Sequence, residues 1–561
     1  LNILGASSVG TLANTLDTDV ATLSVTNVTG GTYITENDTV TITGVNVNGA
    51  FDLTATGTTT TGAVTSTSGL VTINGPVTLG ANVSGGAGVD LDNVVLNASP
   101  IVINGGSGSV ITGTINGTTG TEDLTITATN TATFGAIGGT TDIGDLLVNA
   151  GTINVNGDVD TADTITLTGA INLGGNLTAD AGDIVLNGNT TLSGGARTLT
   201  ANAVGADIQV NGDISGAQNL TLNANDIVSL QTIGELGANP TGLTVTAATA
   251  LINDDITVDG SVDLSNVTTT VINNNNVAID ITGGGVGDFV SIGTMRGPHS
   301  LTIIADDSDV NFGGITGLTG LTVSSADEVW FDNSVNIPGS ISVNAGNMIY
   351  TNSGIYSTGG SLTFTGGGLV NIENTVRASG NVSVDNMTIM VSNTTISSDN
   401  GNVTLARDIY GGYDLELQAA NGAVSLNTVG ASGTNPTELV INSQNAALGG
   451  DISVDGNIDL SGVGTTTIVA DITIDGSGAT DGTITLGRIT GNHALTITQG
   501  TDDDVIFGGD VTSLTGLTVA NADDISVNAS INIQGGIFLN ATDTVNVDAN
   551  IGVTGNSELT I

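Results

Sequence analysis

Two short stretches place three carboxylates each at equivalent points of the chain: Asp306-Asp307-Ser308-Asp309 and Thr501-Asp502-Asp503-Asp504. Hard cations want several oxygen ligands from flexible turns, so Asp306, Asp307, Asp309, Asp502, Asp503 and Asp504 form the candidate metal set, with calcium as the ion. The same residues have a plainer role, because Asp and Asn tolerate left-handed backbone and close Asx-turns. Both readings stand at this level. Gly85 to Asp90, "GGAGVD", matches the first six positions of a calcium-binding nonapeptide. Asp92 then occupies its apolar position and no second unit follows, so that match stays isolated.

Acid–base chemistry has a small pool to draw on. The basic side chains are Arg197, Arg296, Arg377, Arg407, Arg488, His299 and His493, and there is no lysine. Without lysine a phosphate-binding P-loop is excluded. "RGPH" (296–299) and "RITGNH" (488–493) lie at matching points of a long repeat described below. In a stack of coils spaced by ~4.8 Å the two histidines would stand roughly 40 Å apart, too far to share a site. Retained turn residues explain the pair, and no enzyme activity is expected. Sequons such as Asn266-Val267-Thr268 arise by chance in a chain this rich in Asn and Thr.

The 54 acidic residues against 5 arginines give a net charge of −49. Nothing here could neutralise nucleic-acid phosphates, and an anionic membrane surface would repel the chain. No apolar run approaches the ~18 residues of a membrane span, so no membrane insertion is expected. Cysteine is absent, which removes any disulfide framework. Aromatics are 2% of the chain against 39% hydrophobic residues, so any core must be built from Val, Ile, Leu and Ala.

The elements that must carry these side chains announce themselves by repetition. "LTIIADDSDVNFGGITGLTGLTV" (301–323) returns as "LTITQGTDDDVIFGGDVTSLTGLTV" (495–519), and "IVSLQTIGELGANPTGLTV" (227–245) as "AVSLNTVGASGTNPTELVI" (423–441). The repeat is about 195 residues long, with Asp327, Gly339 and Asn344 answering to Asp523, Gly535 and Asn540. Inside it runs a shorter beat of ~20–24 residues, marked by Leu220 to Leu243, Leu301 to Leu321, Leu415 to Leu439 and Leu495 to Leu517. Each beat holds short alternating runs between Gly, Asn and Asp clusters, the pattern of half-buried strands. The spacing predicts an all-β chain, a right-handed parallel β-helix of roughly 25 coils, one solenoid over 1–561. Within it, 1–219 are diverged coils, 220–414 a first long copy, and 415–561 an incomplete second one. Leu301, Leu321, Leu495, Leu517, Phe312 and Phe507 should face inward. Inward Asn at coil corners, as in "NASINI" (528–533) and "NGNTTL" (187–192), should stack as amide ladders. A string of immunoglobulin-like domains is the rival architecture, but it wants a buried Trp, a Tyr corner and linkers.

The stretch "GTEDLTITATNTATFGAIGGTTDIGDLLVNAGTINVNGDVDTADTITLTGAINLGGNLTADAGDIVLNGNTTL" (120–192) resembles the coils of large filamentous-haemagglutinin-like exoproteins and adhesins of bacteria. The shared cadence is L-T-[IL]-x-A, an Asp- or Asn-bearing turn, [IV]-x-[FL], a Gly-rich turn, then L-x-V. The resemblance implies a secreted, extracellular or cell-surface protein of structural or adhesive function, whose partners are host or surface glycans and proteins. Two other functions remain open: a self-assembling filament or sheath subunit that binds further copies of itself, and a polysaccharide-active β-helix. The start at Leu1 and the stop at Ile561, both inside the pattern, lead us to expect a segment of a longer fibre.

Overall fold

The structure, a computed structural model, describes residues 1–478, 482–554 and 557–561. The described residues contain strands and turns and no helix, and the strands stack in parallel as a β-solenoid of about 28 turns. Two compact units, residues 1–284 and 285–561, carry these coils.

In the first unit a coil is built from three strands and three turns. Thr59–Thr61, Val64–Ser66 and Leu70–Asn74 pair in parallel with Val77–Leu79, Val83–Gly85 and Gly88–Leu91 of the next coil. Those pair in turn with Val94–Leu96, Ile101–Asn104 and Ser109–Thr112. Every strand backbone thus finds its hydrogen bonds in the neighbouring coils, which is what lets so short a strand persist. The alternation read from sequence is the alternation observed: along Leu124–Phe134, Leu124, Ile126 and Ala128 are buried while Thr125 and Thr127 look outward. A bulge between Ala128 and Thr131 turns this strand through a corner without ending it.

The second unit repeats the plan. Leu301 pairs with Leu321, Leu321 with Ile341, Ile341 with Leu362, and Leu362 with Val382. All five are essentially sealed from solvent. The beat of the sequence is therefore the coil itself, since Leu220 also pairs with Leu243, Leu415 with Leu439 and Leu495 with Leu517. Coil lengths spread more widely than expected, from the 17 residues between Val77 and Val94 to the 26 between Asn457 and Thr483. Turn length is free to vary because strand register, not spacing, keeps apolar side chains inside.

Phe312 and Phe507 are fully buried, and Phe312 stacks on Phe331 of the next coil with centroids 5.3 Å apart. Each buried Leu, Ile, Val or Phe of such a column contributes about 1.5–3 kcal/mol. Gly339 and Gly535 hold corresponding corners where a Cβ would run into the carbonyl oxygens of Thr319 and Thr515. Only glycine lets the coils close up there.

The amide ladders form, mostly on the opposite side from the one expected, although buried Asn253 accepts from Asn273 at 2.9 Å. Asn172 donates to Asn154 at 2.7 Å and Asn211 to Asn187 at 2.9 Å, all from partly or fully exposed positions, and Asn528 and Asn532 also face outward. A buried amide needs several partners, as Asn253 finds in the Ser229 hydroxyl and the Leu230 carbonyl. Many polar inward positions go to single hydroxyls, such as Thr59, Thr61, Thr270 and Thr466, which occupy the space of a valine. Their Oγ1 atoms have no hydrogen-bond partner.

Candidate functional site

The two Asp-rich turns do not present three outward carboxylates each. Asp306, Asp307 and Asp309 are exposed, and Asp306 takes a left-handed φ of 47°. Its carboxylate accepts from the Ser325 hydroxyl at 2.8 Å, which ties the turn to the next coil. In the second copy Asp502 is exposed and Asp504 half-buried, while Asp503 is 5% exposed and points in. Aligned on Phe312 and Phe507, Asp503 stands where Ser308 stands, and Ser308 is equally buried. The Asp503 carboxylate accepts from the backbone amides of Gly482 and Gly500. Among the described residues, carboxylate oxygens converge in threes within 4.8 Å at two other places, Asp19/Glu36/Asp38 and Asp142/Asp160/Asp180. Burial first, then the charges of Asp142, Asp180 and Asp158, push the Asp160 carboxyl above its ordinary range.

Buried carboxylates that hold turns are a recurring device here. Glu36 accepts from the Thr18 hydroxyl and from the amides of Val20 and Asn37. Asp213 takes the amide of Leu236 at 2.9 Å, and its repeat equivalent Asp408 takes those of Ala431 and Ser432 at 3.2 and 2.7 Å. Glu122 is the fullest case. The hydroxyls of Thr118 and Thr119 and the amides of Thr119, Gly120 and Thr121 all donate to it. Burial alone would raise its pKa, but these donors outweigh it and hold the carboxyl at about 2. The sequence offers a weak signal for such groups: an acid followed by turn residues with spare N–H donors.

The histidines share one structural role, since the carbonyls of His299 and His493 accept the amides of Thr319 and Thr515 at 3.2 and 3.1 Å. His493 also lies 3.5 Å from Asp471. Trp330 and Tyr350 stack with centroids 3.6 Å apart, each covering one face of the other, and the pair reinforces the coil stack.

One surface of the second unit has the geometry of a binding groove. Asn336, Tyr356, Arg377, Ser397, Gln418 and Asn442 form an unbroken row of directly opposed outward residues on successive strands. Two cavities of about 400 Å³ adjoin along this row and share Tyr356, Arg377 and Asp399. A third, about 560 Å³, continues past Gln418 to Asn442 and Gln444. Ser397 supplies the dip, being 7% exposed between longer neighbours. Arg377 is held across the groove by Asp399 at 2.9 Å, an ion pair still open to water on both sides. The Tyr356 ring lies over Gly354, where a Cβ would collide with its Cε2, Cζ and hydroxyl atoms. Gly31 beneath Tyr33 repeats that arrangement. Sequence reasoning missed the groove, although Gly-x-Tyr on an alternating strand is a signal that could have found this ring placement.

Outer membrane protein A of Rickettsia rickettsii is 28% identical over 386 residues, which cover 65% of this chain and 16% of that protein's length. No family model matches the chain, and no solved structure matches it. The chain thus spans about a sixth of the length of a weak relative named for the outer membrane.

Proposed function

We propose that this chain is a non-enzymatic structural and adhesive solenoid displayed outside a bacterial cell, of the filamentous-haemagglutinin-like kind. The observation that carries the reading is the regular parallel stack, which sets outward Thr, Asn and Asp at the same positions coil after coil. Weak contacts repeated at that interval add through effective concentration, which suits attachment. The likeness to an outer membrane protein supports the cell-surface location, and the net charge of −49 favours a soluble, self-repelling exterior.

The test is display of residues 1–561 on a non-adherent bacterial host by a heterologous surface anchor. Antibody labelling that external protease removes verifies exposure. Cells carrying the chain should bind epithelial monolayers or immobilised matrix several-fold better than cells carrying the anchor alone. Equal binding would refute the adhesive part, and clumping of the displaying cells with one another would instead favour assembly with further copies of the chain.

A further inference from the structure

We propose that the groove along Tyr356, Arg377 and Gln418 is a binding site for an uncharged oligosaccharide chain lying along the direction of coil stacking. The proposal rests on the adhesive reading only for its biological use, because the groove's chemistry stands by itself.

Its lining selects the ligand class. Apolar side chains are nearly absent: amides (Asn336, Gln418, Asn442), hydroxyls (Thr358, Thr395) and one ion pair make up the walls. The carbon atoms of these polar side chains and Ala420 expose some apolar surface, but no large aliphatic side chain stands there to seat a lipid tail or an apolar peptide, whereas most small-molecule pockets are lined by such side chains. The exception is the Tyr356 ring, which rests on Gly354 and turns its remaining surface to both cavities. An aromatic face beside planar hydrogen-bonding groups matches the C–H face and the rim hydroxyls of a pyranose. Arg377, fixed by Asp399, keeps guanidinium donors in a set plane for adjacent hydroxyls while the carboxylate accepts. Charge decides against an acidic polymer. The groove's one cation is already paired, and Asp414, Glu416 and Glu438 line the cavity alongside it. A polyanion would meet repulsion from these groups and from the whole chain. Length fits too: the row advances ~4.8 Å per coil, close to the rise of one sugar in an extended β-linked chain. Successive coils can therefore meet successive sugars.

Isothermal titration of the purified chain with chitohexaose and cellohexaose tests this, with an oligogalacturonate of the same length as the charged control. At least one neutral hexasaccharide should bind at micromolar to millimolar Kd. Tyr356→Ala should weaken it about tenfold, and Gly354→Ala, which lifts the ring instead of deleting it, should do the same. Tyr356→Phe should bind like the parent, since the ring and not the hydroxyl does the stacking. Equal melting temperatures keep these comparisons free of folding effects, and where Tyr356→Ala melts lower, the Gly354→Ala and Tyr356→Phe pair decides. No heat from either neutral sugar, binding unaffected by both ring variants, or tighter binding of the oligogalacturonate would each overturn the proposal. Any of these results leaves the cell-binding experiment standing, and loss of cell binding leaves the titration standing.

Discussion

Replacing Glu122 by Gln tests the idea that this acidic chain uses buried carboxylates as turn staples. Glu122 is 4% exposed, and five donors from residues 118–121 converge on its two oxygens. Glutamine keeps the volume, but loses the charge and turns an NH₂ toward a cluster of N–H groups. Hydrogen bonds to a charged acceptor contribute about 1.5–3 kcal/mol each, though bonds that share one carboxylate do not add, so we expect a loss of about 2 kcal/mol at neutral pH. The pH signature is specific. A carboxyl ordinarily titrating near 4.5 and held at about 2 in the fold adds stability that is fully present above 4.5 and disappears as pH falls through about 2. The gap between the parent and Glu122→Gln should therefore close over that window. Solenoid coils open locally, so the readout is hydrogen exchange of the amides in Leu124–Phe134, compared with a distant coil. A variant that exchanges like the parent at neutral pH, or a gap that persists at the acid end, would refute the reasoning.

Further outcomes follow from the same structure. Thr466→Val, and likewise its repeat equivalent Thr270→Val, should stabilise by ~1 kcal/mol, because each removes a buried hydroxyl with no partner while keeping the shape; a lower melting temperature would contradict this. Phe507→Asp should destabilise its coil by at least ~3 kcal/mol by placing an unpaired charge in a dry core, and unchanged unfolding would count against the assignment. Burial, then neighbouring carboxylates, hold Asp52, Asp90 and Asp160 above 3.8. Their stabilising contribution is present below 3.8 and lost as pH rises through the raised values, so replacing the three by Asn should remove a fall in urea resistance that the parent shows as pH rises from 3.8. Sodium chloride should raise the melting temperature by screening the net charge. If the carboxylates bind calcium, chloride salts of calcium will raise it further at matched ionic strength, and equal effects would leave screening as the whole explanation.

The sequence by itself determined the coil. Leu301, Leu321, Leu495 and Leu517 recur at the beat, alternate with Thr, and could only face inward together in parallel strands, because a slip of one residue would turn the whole apolar set to water. The repeat likewise marked Gly339 and Gly535, although the reason, a carbonyl of the preceding coil in the place of the missing Cβ, needed the fold. What only tertiary structure decided is the direction and company of the polar side chains. Asp502, Asp503 and Asp504 read as three alike, yet one turns inward to two backbone amides, because a turn's dihedral angles and not its composition aim its side chains. Asn154, Asn172, Asn187 and Asn211 went outward, while Asn253 went inward to a hydroxyl and a carbonyl. The groove joins Tyr356, Arg377, Ser397 and Gln418, each a coil from the next in sequence, which become neighbours only when the register of parallel strands sets them side by side.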